Sequence, residues 1–292
     1  MRTELRRLFT FLIPVICITY LLLFFIITGI NTQNSGEILS ESFNDIFVTA
    51  SISPFQEIRK KSLNDQILNI LSRSNLPLEI KERIRNDVEE NGDFINELSA
   101  ILDDDPGYWI LVDKNNSLSP NFTPHDLIDL STGRPAAGSN NMLSKAAYEA
   151  ALEIINAAAR EGYALTIISA YRSFEYQGRI YTYWVTQEGQ LEADRVSARP
   201  GHSQHQLGLT VDFNMLDNEF ARTQEGIWLE ANAHLYGWSL SYPDGYESVT
   251  GYRWESWHYR YVGKKLAQFI KKYFNGIQQY ALVFIHEVNR DY

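Results

Sequence analysis

Cysteine occurs once in the 292 residues, at Cys17, so a disulfide within the chain and a thiolate-ligated metal cluster are both excluded. Basic residues are in short supply: 26 Lys and Arg stand against 36 Asp and Glu, a formal charge of -10. That balance argues against a general nucleic-acid binder, which needs a basic footprint. Histidine is scarce as well, with six in the chain. Any bound metal must therefore be held by histidine and carboxylate. What the composition does supply is core material. Hydrophobic residues make up 45% and charged residues 21%, an ordinary globular balance over a length that suits one large domain, or a medium one with an extra segment.

Residues 8 to 30, LFTFLIPVICITYLLLFFIITGI, carry no charge and are long enough to cross a bilayer as a helix. Arg2, Arg6 and Arg7 precede this run, and the next basic residue is Arg59. The positive-inside rule then keeps the N-terminus in the cytoplasm and exports everything after residue 30. The run exceeds the roughly 7–15 apolar residues of a secretory signal, and TGINTQ is a poor cleavage site, so an uncleaved single-pass anchor in the cytoplasmic membrane is expected. Residues 31 to 52 read as a tether. From Pro54 to Leu102 the pattern is helical: Leu63, Ile67, Ile70 and Leu71 share one face, as do Ile80, Ile84 and Val88. Pro77 and ENGD at 90–93 divide this stretch into two or three short helices, read as a stalk or cap over residues 31–105.

After DDDPG at 103–107 the texture changes. YWILVD reads as a strand, residues 142–161 as an alanine-rich amphipathic helix, and ALTIIS at 164–169 as a strand. A helix follows over SFEYQGRIYTYWVTQEG, then a strand at 207–213, a helix turning at Gly237 into another strand, the alternating WHYRYV, and a helix over about 263–275. Strands and helices mix without a regular βαβ rhythm, which favours an α+β domain over 106–275 with a C-terminal extension at 276–292.

Two stretches carry chemistry. In GHSQHQLGLTVDF, residues 201–213, Asp212 lies between Val211 and Phe213 at the end of an apolar run. A buried carboxylate there needs a partner, either a metal ion or an arginine such as Arg172 in SAYRS. In TGYRWESWHYRYVG, residues 250–263, an extended HYRYV sends His258, Arg260 and Val262 to one side and Tyr259 and Tyr261 to the other. Catalytic zinc sites commonly use three protein ligands. His205, Asp212 and His258 would make such a set, with Glu255 free as a base.

Together, SAYRSFEYQ, the pattern Ser203-x-His205-x-x-Gly208-x-x-x-Asp212, and ESWH followed by YRYVG resemble the VanY-type D-alanyl-D-alanine carboxypeptidases of the LAS group of zinc peptidases. The resemblance spans roughly residues 107–264 and leaves the first hundred residues unaccounted for. It implies a LAS/hedgehog-type α+β fold, a small antiparallel sheet flanked by helices, holding one zinc ion. By the same resemblance His205, Asp212 and His258 are the metal ligands, Glu255 the catalytic carboxylate, and Arg172 the group that stabilises the reacting carbonyl or anchors substrate. Ser203 and Gln177 match substrate-binding positions. The phase of the Ser-x-His motif selects His205 over its rival His202. Ser256 stands where the family commonly has proline, a departure that would loosen the turn aiming Glu255. The expected reaction is removal of the terminal D-alanine from peptidoglycan stem peptides outside the cytoplasm. An L,D cut, an endopeptidase acting on cross-links, and a non-catalytic cell-wall-binding module remain the alternatives.

Overall fold

The computed structural model describes residues 54–133 and 141–290. The anchor expected at 8–30 and the tether at 31–52 lie outside the described residues, and no helix among those described is long and apolar enough to cross a membrane. Three helices open the described chain: α1 (Pro54–Arg73), α2 (Leu78–Glu90) and α3 (Asp93–Leu102). Pro77, extended at φ -52° and ψ 145°, separates the first two, and left-handed Gly92 separates the second and third.

The helices do not form a stalk with a core of its own. Leu63, Ile67, Ile70, Leu71, Ile80, Ile84, Phe94 and Leu98 pack into one apolar cluster with Leu266, Phe269, Ile270 and Phe274 of α9 (Lys264–Tyr273) and its flank. Ala281, Leu282, Phe284, Ile285 and Val288 of α10 (Gln278–Arg290) complete that cluster. The stretch set aside as a C-terminal extension is therefore a core helix. Its i, i+3, i+4, i+7 spacing at 281, 284, 285 and 288 explains why. From Ile58 onward the chain is one compact unit. The segments divided at 105/106 and 275/276 in the sequence share this core.

YWILVD is the element the structure corrects outright. Pro106–Trp109 is a 3₁₀ turn, whose Asp105 side chain accepts from the Gly107 N–H, and residues 110–112 join no sheet. The alternation that suggested a strand is real, but two different cores satisfy it. Trp109 and Leu111 pack into the helical cluster, while Tyr108, Ile110 and Val112 pack into the second core.

That second core lies between helices and a four-stranded antiparallel sheet. A two-stranded ribbon comes first, β1 (Leu127–Asp129) with β2 (Met142–Ser144), leading into α4 (Lys145–Arg160). Ala147, Ala150, Ala151, Ile154, Ala157 and Ala158 bury one face of α4, where small side chains permit close approach. The main sheet has the order β3 (Ile167–Ser169), β4 (Thr210–Phe213), β6 (His258–Tyr261), β5 (Trp238–Leu240). Helices α5 (Phe174–Glu188) and α6 (Gln190–Val196) follow β3, α7 (Gln224–Asn232) precedes β5, and the short α8 (Glu247–Thr250) precedes β6. Val211, Phe213 and Tyr259 point into the core, as period-2 alternation requires, so Asp212 and His258 emerge on the opposite face. This α+β arrangement of helices and small antiparallel sheets agrees with the fold class read from the sequence.

Candidate active site

Strand register assembles the site. Asp212 on β4 lies opposite His258 on β6 and opposite Ser169 on β3. Directly opposed residues share a face, so one carboxylate acquires a histidine on one side and the Arg172-holding serine on the other. His205 arrives from the 3₁₀ turn Gln204–Leu207 that precedes β4. Gly208 ends that turn at φ +68°, where a Cβ would lie 2.9 Å from Pro124 and 3.0 Å from Leu127. Glycine is thus required by the β1 approach rather than by proximity to the reacting groups.

His205, Asp212 and His258 each present one ligand-type atom, and these atoms lie within 4.8 Å of one another; all three residues are buried. His205 Nδ1 lies 2.6 Å from the Ala170 carbonyl, which must accept from it, so Nε2 carries the lone pair of the neutral ring. That Nε2 is 3.4 Å from Asp212 Oδ2. His258 presents Nδ1 instead, 3.2 Å from Asp212 Oδ1 and 3.2 Å from Glu255 Oε2. His205 Nε2 and Asp212 Oδ1 are fully buried without a hydrogen-bond partner. Orphaned buried polar atoms of this kind are uncommon and ask for an occupant. Two imidazole nitrogens and one carboxylate, with His205 Nε2 and Asp212 Oδ1 among them lacking a hydrogen-bond partner, fit a divalent cation such as zinc.

The arginine alternative for Asp212 is present too. Arg172 Nη2 donates to Asp212 Oδ2 at 2.7 Å, while Nε and Nη2 both donate to Ser169 Oγ. Arginine and histidines therefore share the carboxylate, which leaves Oδ1 toward His258. Burial opposes the charge on Asp212, yet His205, His258 and Arg172 together hold its carboxyl well below the usual range. The two imidazoles move in opposite directions. Burial and the Arg172 charge push His205 down to about 4. Burial also disfavours the charged form of His258, but the Asp212 and Glu255 carboxylates, each 3.2 Å from Nδ1, outweigh it and hold that ring at about 8.

Glu255 is carried on a tight turn, its N–H donating to the Tyr242 carbonyl and its own carbonyl accepting from the His258 N–H. Ser256, at the position of the family's usual proline, does not leave this turn loose. Its N–H donates to Asn218 Oδ1 at 3.0 Å, and Asn218 Nδ2 donates to the Trp254 carbonyl. A proline could not make the first bond, so Asn218 supplies a clamp that proline would otherwise replace. Of the two expected substrate contacts, Gln177 donates to Ser197 Oγ and the Ala198 carbonyl, while its Oε1 is buried without a partner. Ser203 Oγ accepts from the His205 N–H. Both line a cleft of about 780 Å³ with Arg172, His205, Asp212, Glu255 and His258, walled by Tyr176, Trp184, Trp254 and Trp257. His202 is not in the cluster; its Nδ1 sits 2.7 Å from the Asp113 carbonyl. Among the described residues, His125, His234 and His286 also lie outside it.

Sequence reasoning passes over Tyr242, whose ring packs 4.7 Å from that of His258, and Gln204 and Asn218 behind the site. Gln204 sits inside the Ser-x-His motif at its unspecified position. The other two carry no local signal.

Residues 140–264 match the family model for VanY, D-alanyl-D-alanine carboxypeptidase. The chain is 36% identical over 169 residues to YodJ of Bacillus subtilis, covering 55% of this chain and 62% of YodJ. It is 34% identical over 144 residues to a D-alanyl-D-alanine carboxypeptidase of Enterococcus faecium, covering 49% of this chain and 44% of that enzyme. It thus spans less than two thirds of either relative. The solved structure of the LdcB LD-carboxypeptidase superimposes with a TM-score of 0.53 at 34% identity, covering 59% of this chain and 83% of that one. The E175A mutant of the D,D-pentapeptidase VanY from a VanB-type resistance cassette, solved with Zn(II), gives a TM-score of 0.51 at 28% identity over 61% and 99%. Fold and site define a LAS-type peptidase scaffold. Residues 140–264 form a domain of the VanY D-alanyl-D-alanine carboxypeptidase family.

Proposed function

We propose that this protein is a zinc carboxypeptidase that removes the terminal D-alanine from peptidoglycan stem peptides of the D-Ala-D-Ala type. The observation that carries the reading is the buried His205, Asp212, His258 cluster with Glu255 beside it at the floor of a peptide-sized cleft. The Zn(II)-bound VanY structure and the Enterococcus faecium enzyme support it. Residues 8–30 would anchor the chain in the cytoplasmic membrane, with the catalytic domain on the extracytoplasmic side where that substrate lies. The length and charge flanks of the run support this placement.

His205 Nε2, an Asp212 oxygen and His258 Nδ1 would hold the metal. When bound, zinc supplies a Lewis acid that polarises the scissile carbonyl and brings the pKa of its water to about 7. Glu255, at the edge of the cluster with its side chain 17% exposed, takes the proton from the attacking water and returns it to the leaving amine. Arg172, fixed by Ser169 and Asp212, faces the cleft with a charge that opposes the one growing on the carbonyl oxygen. Gln177 Oε1 accepts a peptide N–H, and Ser203 offers its hydroxyl to the substrate backbone.

A second reading, an L,D cut of the tetrapeptide, is favoured by the likeness to the LdcB LD-carboxypeptidase. The zinc-loaded full chain incubated with muropeptide pentapeptide and tetrapeptide, read by mass spectrometry, separates the two. Loss of one alanine from the pentapeptide supports the D,D reading, and loss from the tetrapeptide alone replaces it with the L,D one. Glu255→Ala lowers turnover roughly 10²–10⁴-fold. Turnover retained in that variant overturns the mechanism. Zinc bound with neither peptide cut points to the endopeptidase or cell-wall-binding alternatives.

A further inference from the structure

Behind His258 runs a buried hydrogen-bond chain whose polarity follows from one end. It starts at the Ser239 carbonyl on β5, which can only accept. Gln278, the first residue of α10, donates Nε2 to it at 3.1 Å. With its amide nitrogen so committed, Gln278 turns Oε1 toward Gln204, which must meet it with Nε2 at 3.2 Å. Gln204 therefore presents Oε1 to its remaining neighbours. Ser241 Oγ donates to that oxygen at 2.7 Å, and His258 Nε2 lies 3.3 Å from it. An amide oxygen has no hydrogen to give, so His258 Nε2 must be the donor. Gln204 and Gln278 are 2% and 1% exposed, so water cannot readily substitute for a lost partner.

We infer that Gln204 and Gln278 are positioning residues that hold His258 in its Nε2–H tautomer and leave Nδ1 as the metal-facing nitrogen. The inference rests on the zinc reading above. Its physical basis is general: the hydrogen bond on a histidine's distal nitrogen fixes which nitrogen can bind metal, and losing such a partner typically weakens binding about 10–100-fold. What is particular here is the source of the polarity. Gln278 stands on α10, outside residues 140–264 that match the family model, in the helical core built with α1 to α3. The helical part of the chain thus reaches the site through two amides. A flip of either amide would set an oxygen against an oxygen, so the chain is stable in one direction only.

The test compares the full chain with Gln204→Met, Gln204→Glu and Gln278→Met. Zinc affinity is measured by competition with a chromophoric chelator, and the His258 tautomer by nitrogen-15 NMR of zinc-free, histidine-labelled protein at a pH well above 8, where the ring is neutral. Methionine keeps the volume and removes the hydrogen bonds. The carboxyl introduced by Gln204→Glu still accepts from Nε2–H and, kept protonated by burial, donates to Gln278. The expected order of zinc affinity is wild type near Gln204→Glu, with Gln204→Met weaker by about tenfold or more. Gln278→Met should be weaker by a smaller factor. The methionine variants should also show mixed tautomers. Wild-type affinity and a single Nε2–H tautomer in both methionine variants would overturn the inference while leaving the carboxypeptidase reading intact. No zinc binding by the wild-type chain would remove both. Should Gln204→Met fail to fold, Gln278→Met against wild type decides by the same two readouts.

Discussion

Replacing Phe94 by alanine asks whether α3, α9 and α10 stand on one core. Phe94 is fully buried, and its ring lies 4.8 Å from Tyr273, 4.9 Å from Phe269, 5.7 Å from Phe284 and 6.5 Å from Phe274. Two of these contacts, with Tyr273 and Phe284, are edge-on at 84° and 83°, an arrangement favoured between aromatic rings. Deleting a buried phenylalanine forfeits its transfer free energy and leaves a cavity, about 4 kcal/mol in total. Four rigid rings around the hole cannot collapse far, which argues against the low end of the usual range. At roughly 2–4 °C per kcal/mol for a unit of this size, Tm should fall by about 8–16 °C. Calorimetry of the metal-free chain, with tryptophan fluorescence as a second probe of the sheet core, reads the result. One transition shifting in both probes is expected. A separate low-temperature transition, with the fluorescence midpoint unchanged, would refute the shared core and restore an independent stalk.

Two further outcomes follow from the site. Zinc must displace a proton from His258, held at about 8, so apparent zinc affinity should rise about tenfold per pH unit up to pH 8 and level off above it. In the metal-free chain the two histidines act with opposite sign on stability. His205, pushed down to about 4, adds stability as pH climbs from 4 to 6.5, because the unfolded chain then binds more protons. His258, raised from 6.5 to about 8, contributes fully below 6.5 and loses about 2 kcal/mol as pH rises through 8. Urea midpoints across this range should therefore peak near pH 6.5, and a monotonic profile would contradict the opposed shifts. Asn218→Ala leaves the buried Ser256 N–H without its acceptor, at a cost of about 1–3 kcal/mol, and should lower kcat more than it raises KM. Adding Ser256→Pro removes the orphaned donor and should restore most of the loss; no recovery in the double variant would count against the clamp.

The site was legible in the sequence because its chemistry is concentrated in short motifs. Scarce histidine and a carboxylate at the end of an apolar run draw attention to residues 201–213 and 250–263, but each residue alone is ordinary. It is the resemblance of the ordered motifs to the VanY-type family that singles out His205, Asp212, His258 and Glu255. Local periodicity also sufficed for α1 to α5 and for the alternation of His258 to Tyr261. It failed where a pattern has two physical solutions. In YWILVD the alternating residues face two cores instead of two faces of a sheet, and nothing within six residues distinguishes these.

What the sequence by itself determined is the inventory: which groups can ligate, which can move a proton, and which stretches bury an apolar face. Only the tertiary structure decided how distant pieces meet. Register across β3, β4 and β6 put Ser169, Asp212 and His258 in one row. The closing of α10 onto α1 to α3 set Gln278 against Gln204, 74 residues away. Such contacts depend on the free energy of burying whole helices and strands against one another, which no local run of residues encodes.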